Sequence, residues 1–236
     1  MTGSLDALIA ATAVFVFGHF ILSSRPLRTP LVRMLGQNGF LPLYSVAVAA
    51  AFLWMLAAYR AAPDYQVWAP DPALNWVPIL VMPVAIFLVL AGITSTNPTM
   101  VGAEQRIAAG GPARRPPGII SVTRHPFLWG TALWAASHLA ANGTAAEIIV
   151  MGGILVLSLG GMAHIDQRRE AALGSAWGPI KLTTSVVPFV AVLGGRCKLD
   201  WAGIGWWRPA GALVLYAALM HAHAWIIGVP VPVTVG

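Results

Sequence analysis

The sequence predicts an all-α, polytopic membrane helical bundle of about six transmembrane helices with both termini outside. Of its 236 residues, 58% are hydrophobic and only 9% are charged, whereas a soluble domain carries about 25% charged residues. So few charges cannot cover a water-facing surface of this size. The apolar residues gather into runs that reach or approach the roughly 20 residues needed to cross a hydrocarbon core. Charged residues cluster between the runs, which selects a helical bundle over a transmembrane barrel.

Six runs read as spans of one transmembrane domain, at about 5–24, 40–60, 76–95, 126–142, 145–164 and 208–228. The first stays apolar until Ser23 and Ser24. The second and third carry no charge between Phe40 and Tyr59 and between Trp76 and Ser95. The fourth is short, with a partly buried entry from near Gly118. Thr123 suits the N-cap of a helix starting at Arg124, and Pro126 suits its first turn, where a missing N–H costs nothing. Only "NGTA" separates the fourth span from the fifth, so the two form a tight antiparallel hairpin. Two longer loops remain, 96–125 and 165–207. The first contains "GGPARRPPG", a Gly/Pro linker without helical period. The second opens with "QRREAALGSAW", a helix running out of the fifth span and ending near Gly174 or Gly178. "TSVVPF" then reads as a return segment at the interface.

Loop charges orient the bundle. Arg25, Arg28 and Arg33 follow the first span. Arg106, Arg114, Arg115 and Arg124 precede the fourth. Arg168, Arg169, Lys181, Arg196, Lys198 and Arg208 lie between the fifth and sixth. These are thirteen of the 14 basic residues, all on one side in alternating topology, and only Arg60 lies opposite. The positive-inside rule makes that side cytoplasmic. It also accounts for the net charge of +6, so nucleic acid is excluded as a partner. The lipid bilayer is the partner that composition demands. Asp6, with no Lys or Arg before the first apolar run, argues against a cleaved signal peptide. The single cysteine, Cys197, permits no intrachain disulfide, and no c-type haem attachment motif is present.

Ionisable residues within spans are functional candidates by default. No Asp, Glu, Lys or Arg stands in the middle of a span, which leaves six histidines. His19 lies about 8 Å and His138 about 18 Å from the cytoplasmic side, at 1.5 Å per residue. His125 and His164 sit at cytoplasmic span ends, and His164, beside Asp166, reads as a helix-end partner of polar groups. His125 and His138 are about 220° apart on one helix, so they do not share a small site. His221 and His223 are about 200° apart, so at most one faces inward. Each intramembrane histidine has a plainer reading as a hydrogen-bond partner of a neighbouring helix. Several together, without carboxylates, favour haem iron or copper over calcium or magnesium.

Three segments in order, "GHFILSSRPLR" (18–28), "RHPFLWGTALWAASHLAANG" (124–143) and "TSVVPFVAVLGGR" (184–196), resemble the NnrU family. That family includes bacterial proteins associated with denitrification and the plant 15-cis-zeta-carotene isomerase. More distantly, "RHP" is shared with the isoprenylcysteine carboxyl methyltransferases. The resemblance implies a non-covalent haem b with His19 and His138 as iron ligands. It also implies redox-dependent cis–trans isomerisation of a polyene, and a multi-pass protein of the bacterial cytoplasmic membrane. The residues following His19 are bulkier than the isomerase pattern. The depth difference between His19 and His138 keeps His19 with His125 or His164 as an alternative metal pair.

Cofactor-binding candidates at the pocket rim are Arg25, Arg124, His125 and Trp134, with Arg28 more simply a topogenic charge. The arginines are placed to meet anionic propionates near the interface. A hydrophobic small molecule or a redox partner is expected. Two other functions stay open. In a membrane methyltransferase, "RHP" would line an S-adenosylmethionine pocket and "REAALGSAW" would form the helix behind it. That reading lacks the paired acidic residues its family carries there. In a non-enzymatic role, the chain would handle haem or assist assembly of nitrogen-oxide enzymes.

Overall fold

A computed structural model describes residues 3–69, 71–100, 102–108, 118–229 and 231. Arg114, Arg115 and most of the Gly/Pro linker, as well as the side chain of Arg106, lie outside the described residues. The long helices are α1 (Leu5–Ser23), α2 (Arg25–Ala61), α3 (Trp76–Thr94), α5 (Pro126–Ala141), α6 (Ala145–Leu173) and α10 (Trp207–Ile227). Short helices α4 (Ala103–Ala108), α7 (Gly178–Thr183), α8 (Val190–Leu193) and α9 (Trp201–Ile204) lie in the loops between the long helices. Five of the long helices are long and apolar enough to cross a membrane. The sixth, α5, has 16 residues, or about 24 Å of helix. It stands between α3 and α6, packed on both.

The helices follow one another in space as α2, α1, α6, α5, α3 and α10, each packed on the next. Their outer faces are apolar and exposed, as at Ile9, Val14 and Phe17 on α1 and Val46 and Leu53 on α2. That is the pattern of a bundle solvated by lipid. Contact between α3 and α5 depends on small residues. A Cβ on Gly130 would stand 2.6 Å from the carbonyl oxygen of Ala85, and one on Gly92 would stand 2.8 Å from the backbone nitrogen of Phe127. Backbones this close gain dispersion contacts that lipid cannot replace.

Two boundaries differ from the sequence expectation. Helix α2 begins at Arg25, fifteen residues before the predicted span, because Ser24 and Pro26 make a helix start. It breaks at Gly36, whose φ of 69° suits glycine, so an arm bearing Arg25, Arg28 and Arg33 precedes the spanning part. Helix α5 starts at Pro126, and Thr123 does not cap it. The Thr123 hydroxyl instead donates to the Val186 carbonyl at 2.7 Å. As expected, the polar helix runs straight out of the fifth span, in one continuous helix ending at Leu173 with Gly174 at its C-cap. The hairpin holds as expected, with Thr144 capping α6 by accepting from the Glu147 N–H.

At the end of the bundle that carries the basic loops, the "TSVVPF" segment folds back onto the entry to α5. The Arg124 N–H donates to the Ser185 carbonyl at 2.9 Å, and the Phe189 N–H donates to that of Val122 at 2.8 Å. The Trp129 indole N–H donates to the Val186 carbonyl at 2.8 Å. Beneath it, Asp166 on α6 accepts from Arg124 Nε at 2.8 Å and from His125 Nε2 at 2.9 Å. Arg124 is 6% exposed and His125 0%, and Arg124 Nη1 also donates to Thr184 at 3.1 Å.

Two stability predictions follow from these contacts. Gly130→Ala would force the backbones of α3 and α5 apart, at a cost of about 1–3 kcal/mol, seen as a lower unfolding midpoint in detergent. Asp166→Asn would leave the Arg124 charge buried without its partner and destabilise by about 3 kcal/mol or more. Adding Arg124→Met removes the unpaired charge, so the double variant should unfold later than Asp166→Asn alone.

Candidate functional site

A cavity of about 440 Å³ lies among α1, α2, α5 and α6, within the range of small-molecule and cofactor sites. Its membrane-depth wall is apolar, with Phe15 from α1, Phe52 from α2, Phe127, Leu128 and Trp134 from α5, and Ile154 and Leu157 from α6. Its other end is polar and carries His19, Ser23, Tyr44, His164, Arg28, Glu104, Arg168 and Arg169. A shallower recess shares His164 and Arg168 with it and adds Arg25.

Hydrogen bonds fix the tautomers of these imidazoles. His19 Nδ1–H donates to the Phe15 carbonyl four residues earlier, at 2.7 Å. Nε2 is thereby the unprotonated nitrogen, and it has no hydrogen-bond partner among the described residues. The ring stands edge-on to Phe15 at 4.7 Å and to Tyr44 at 6.2 Å. His164 is in the opposite condition. The hydroxyl of Ser23 donates its one proton to the His19 carbonyl and lies 2.9 Å from His164 Nε2. It can only accept there, so Nε2 of His164 is protonated and committed.

His138 repeats the arrangement of His19. Its Nδ1–H donates to the Trp134 carbonyl at 2.9 Å, which leaves Nε2 as the free lone pair. It does not line the cavity. It continues the stripe Phe127, Thr131 and Trp134 along α5 at helical spacing, one turn beyond Trp134, whose ring stands 6.1 Å away. Trp134 is therefore the cavity wall on the side of His138.

The other candidates separate clearly. His125 and Arg124 are sealed against Asp166 and line neither described cavity. They do not form the pocket rim that the sequence suggested, because burying a cation at this depth demands a carboxylate partner. His125 Nδ1 is buried without a hydrogen-bond partner among the described residues, so the ring is a wedge held from one side. His223 donates from Nδ1 to the Val229 carbonyl at 2.7 Å, and His221 is exposed. Cys197 approaches the Ser121 carbonyl at 3.6 Å, and burial pushes its thiol up, away from the thiolate form that metals prefer.

Arg168, Arg169, Glu104 and Tyr44 were not legible as site residues. The signal existed in Ile154, Ser158, Gly161, Ile165 and Arg168, which step along one face of α6 at three- and four-residue intervals. Ending the span at residue 164 cuts that stripe short. Glu104, on α4, accepts from Arg169 Nη1 at 2.8 Å and from Arg28 Nη2 at 3.4 Å, a pairing that no local pattern announces.

No group of three or more His, Cys, Asp or Glu converges among the described residues. A metal held by protein donors alone would need such a group. A porphyrin iron needs only axial ligands, and imidazoles with Nε2 free supply that chemistry, so the residues fit haem better than a bare ion.

Comparison with known proteins agrees with this architecture. Residues 7–231 match the family model described as NnrU protein. The chain is 34% identical over 82 residues to the chloroplastic 15-cis-zeta-carotene isomerase of Zea mays, covering 35% of this chain and 22% of the relative. It is 33% identical over 79 residues to that of Arabidopsis thaliana, covering 34% and 22%. The matched segments thus span about a fifth of the length of these curated relatives. No solved structure matches. The family model covers nearly the whole chain, and this membrane protein belongs to the NnrU family.

Proposed function

We propose that this protein binds haem b in the cavity and uses it to isomerise double bonds of a lipid-soluble polyene. The observation that carries the reading is His19, a half-buried imidazole with Nδ1 anchored to its own helix and Nε2 open on an apolar cavity. His19 would hold the iron through Nε2. His138, with the same tautomer, is the candidate for the second ligand, and it would reach a haem in the cavity only with the Trp134 ring moved aside. The two relatives named as carotene isomerases support the substrate class.

When bound, ferrous haem would supply an electron-rich centre able to lower the bond order of a cis double bond. The chain's own contributions are mechanical and electrostatic. The Phe15 carbonyl keeps the His19 proton on Nδ1 and raises the basicity of Nε2. Phe15, Phe52, Phe127 and Trp134 exclude water and offer a polyene flat apolar walls. Placement in a bacterial cytoplasmic membrane belongs to this proposal, since the relatives are chloroplastic.

A methyltransferase reading needs Arg124 and His125 at a cofactor pocket, and both are occupied by Asp166 instead. A role as a haem carrier is separated by exchange. Haem passing readily to an apoprotein acceptor would mark a carrier, whereas a resident cofactor stays.

The direct test is spectroscopic. Wild-type protein purified from cells supplied with haem should show a Soret band. His19→Ala should lose most of it while keeping its helical circular dichroism, and added imidazole should restore it by filling the vacated ligand position. A Soret band of undiminished intensity in His19→Ala contradicts the assignment.

A further inference from the structure

The polar end of the cavity holds more positive charge than negative among the described residues. Arg28, Arg168 and Arg169 meet there with one carboxylate, Glu104. Glu104 is used by Arg169 and Arg28, which among the described residues leaves the cavity's arginines outnumbering its carboxylates. Arg169 also donates from Nη2 to the Met100 carbonyl at 2.8 Å. Arg28 donates to Gln37 at 3.2 Å and stacks on Phe40 at 5.6 Å. Arg168 differs from both in lining both cavities and in making no ion pair among the described residues. Its Nε is also buried without a hydrogen-bond partner among the described residues. A guanidinium with a buried, unpaired N–H is costly, and a bundle that avoids charge elsewhere retains this one.

We infer that Arg168, supported by Arg28, receives the anionic group of the cavity's occupant. The ligand is an amphiphile whose apolar body lies against Phe15, Phe52 and Trp134 and whose carboxylate or phosphate lies at the polar end. A guanidinium fork suits either oxyanion. The inference rests on the reading of this cavity as the ligand site, and it does not require iron. A haem propionate and an anionic phospholipid headgroup share the chemistry.

Native mass spectrometry of the full-length protein, purified in neutral detergent, identifies the source. Haem b places the anion on propionates, and an anionic phospholipid places it on phosphate. Arg168→Gln should retain about tenfold less of that ligand, the scale of one charge-assisted hydrogen bond, and Arg168→Lys should retain most of it. Protein that retains neither is titrated with 12-doxylstearate and with its methyl ester, read by quenching of tryptophan fluorescence. The acid should bind about tenfold more tightly than the ester, with the difference shrinking at high salt and in Arg168→Gln. Equal retention by Arg168→Gln, a retained ligand without an anionic group, or equal binding of acid and ester overturns the inference. His19→Ala separates the two readings: anion binding that survives there while the Soret band is lost leaves this inference standing. A Soret band kept in His19→Ala while Arg168→Gln loses the ligand refutes the iron ligand alone.

Discussion

Asp166 accepts from Arg124 at 2.8 Å and from His125 at 2.9 Å, and through those two bonds one carboxylate on α6 ties down the start of α5. Much at this end of the bundle depends on it. Helix α5 is too short to span the membrane comfortably, so its first turn must enter partly buried. That brings a guanidinium and an imidazole below the surface, where an unpaired charge is not tolerated. The return segment then uses the same residues, with Ser185 and Val186 accepting from Arg124 and Thr123. With the start of α5 fixed, Phe127, Thr131 and Trp134 face Ser158 and Gly161 across the cavity. The Thr131 and Ser158 hydroxyls meet at 2.9 Å, which holds that wall together.

Chemistry at the cavity follows from where single protons go. His19, Ser23 and His164 form a short relay in which each hydrogen has one acceptor. The arrangement frees Nε2 of His19 and commits Nε2 of His164. Two histidines of similar depth are thereby unequal, and only one offers a lone pair through Nε2. His138 offers the same lone pair from behind Trp134. Charge is arranged with equal economy, since Glu104 serves two arginines and Arg168 is left facing the ligand space.

The bundle was legible because its causes are local and compositional. Apolar runs mark the long helices, and the "NGTA" turn marks the α5–α6 hairpin. The start of α2 was not legible, because Ser24 and Pro26 open an amphipathic arm whose hydrophobicity is too low to resemble a span. His19 and His138 stood out as ionisable residues inside spans. The environment of "RHP" did not, because Asp166 lies 41 residues beyond His125 and no periodicity connects them. Arg168 was not legible as a site residue although the helix running out of the fifth span was, because Arg28 and Glu104, which meet it at the cavity, come from elements distant in sequence.

The account turns on whether iron is held by imidazole in this bundle. The absorption spectrum of wild-type protein in detergent, oxidised and then reduced with dithionite, tests that most directly. The account predicts a Soret band that shifts on reduction and sharpens α and β bands characteristic of low-spin haem b with nitrogen ligands. A protein that stays colourless when produced with ample haem, with its fold intact by circular dichroism, would contradict it.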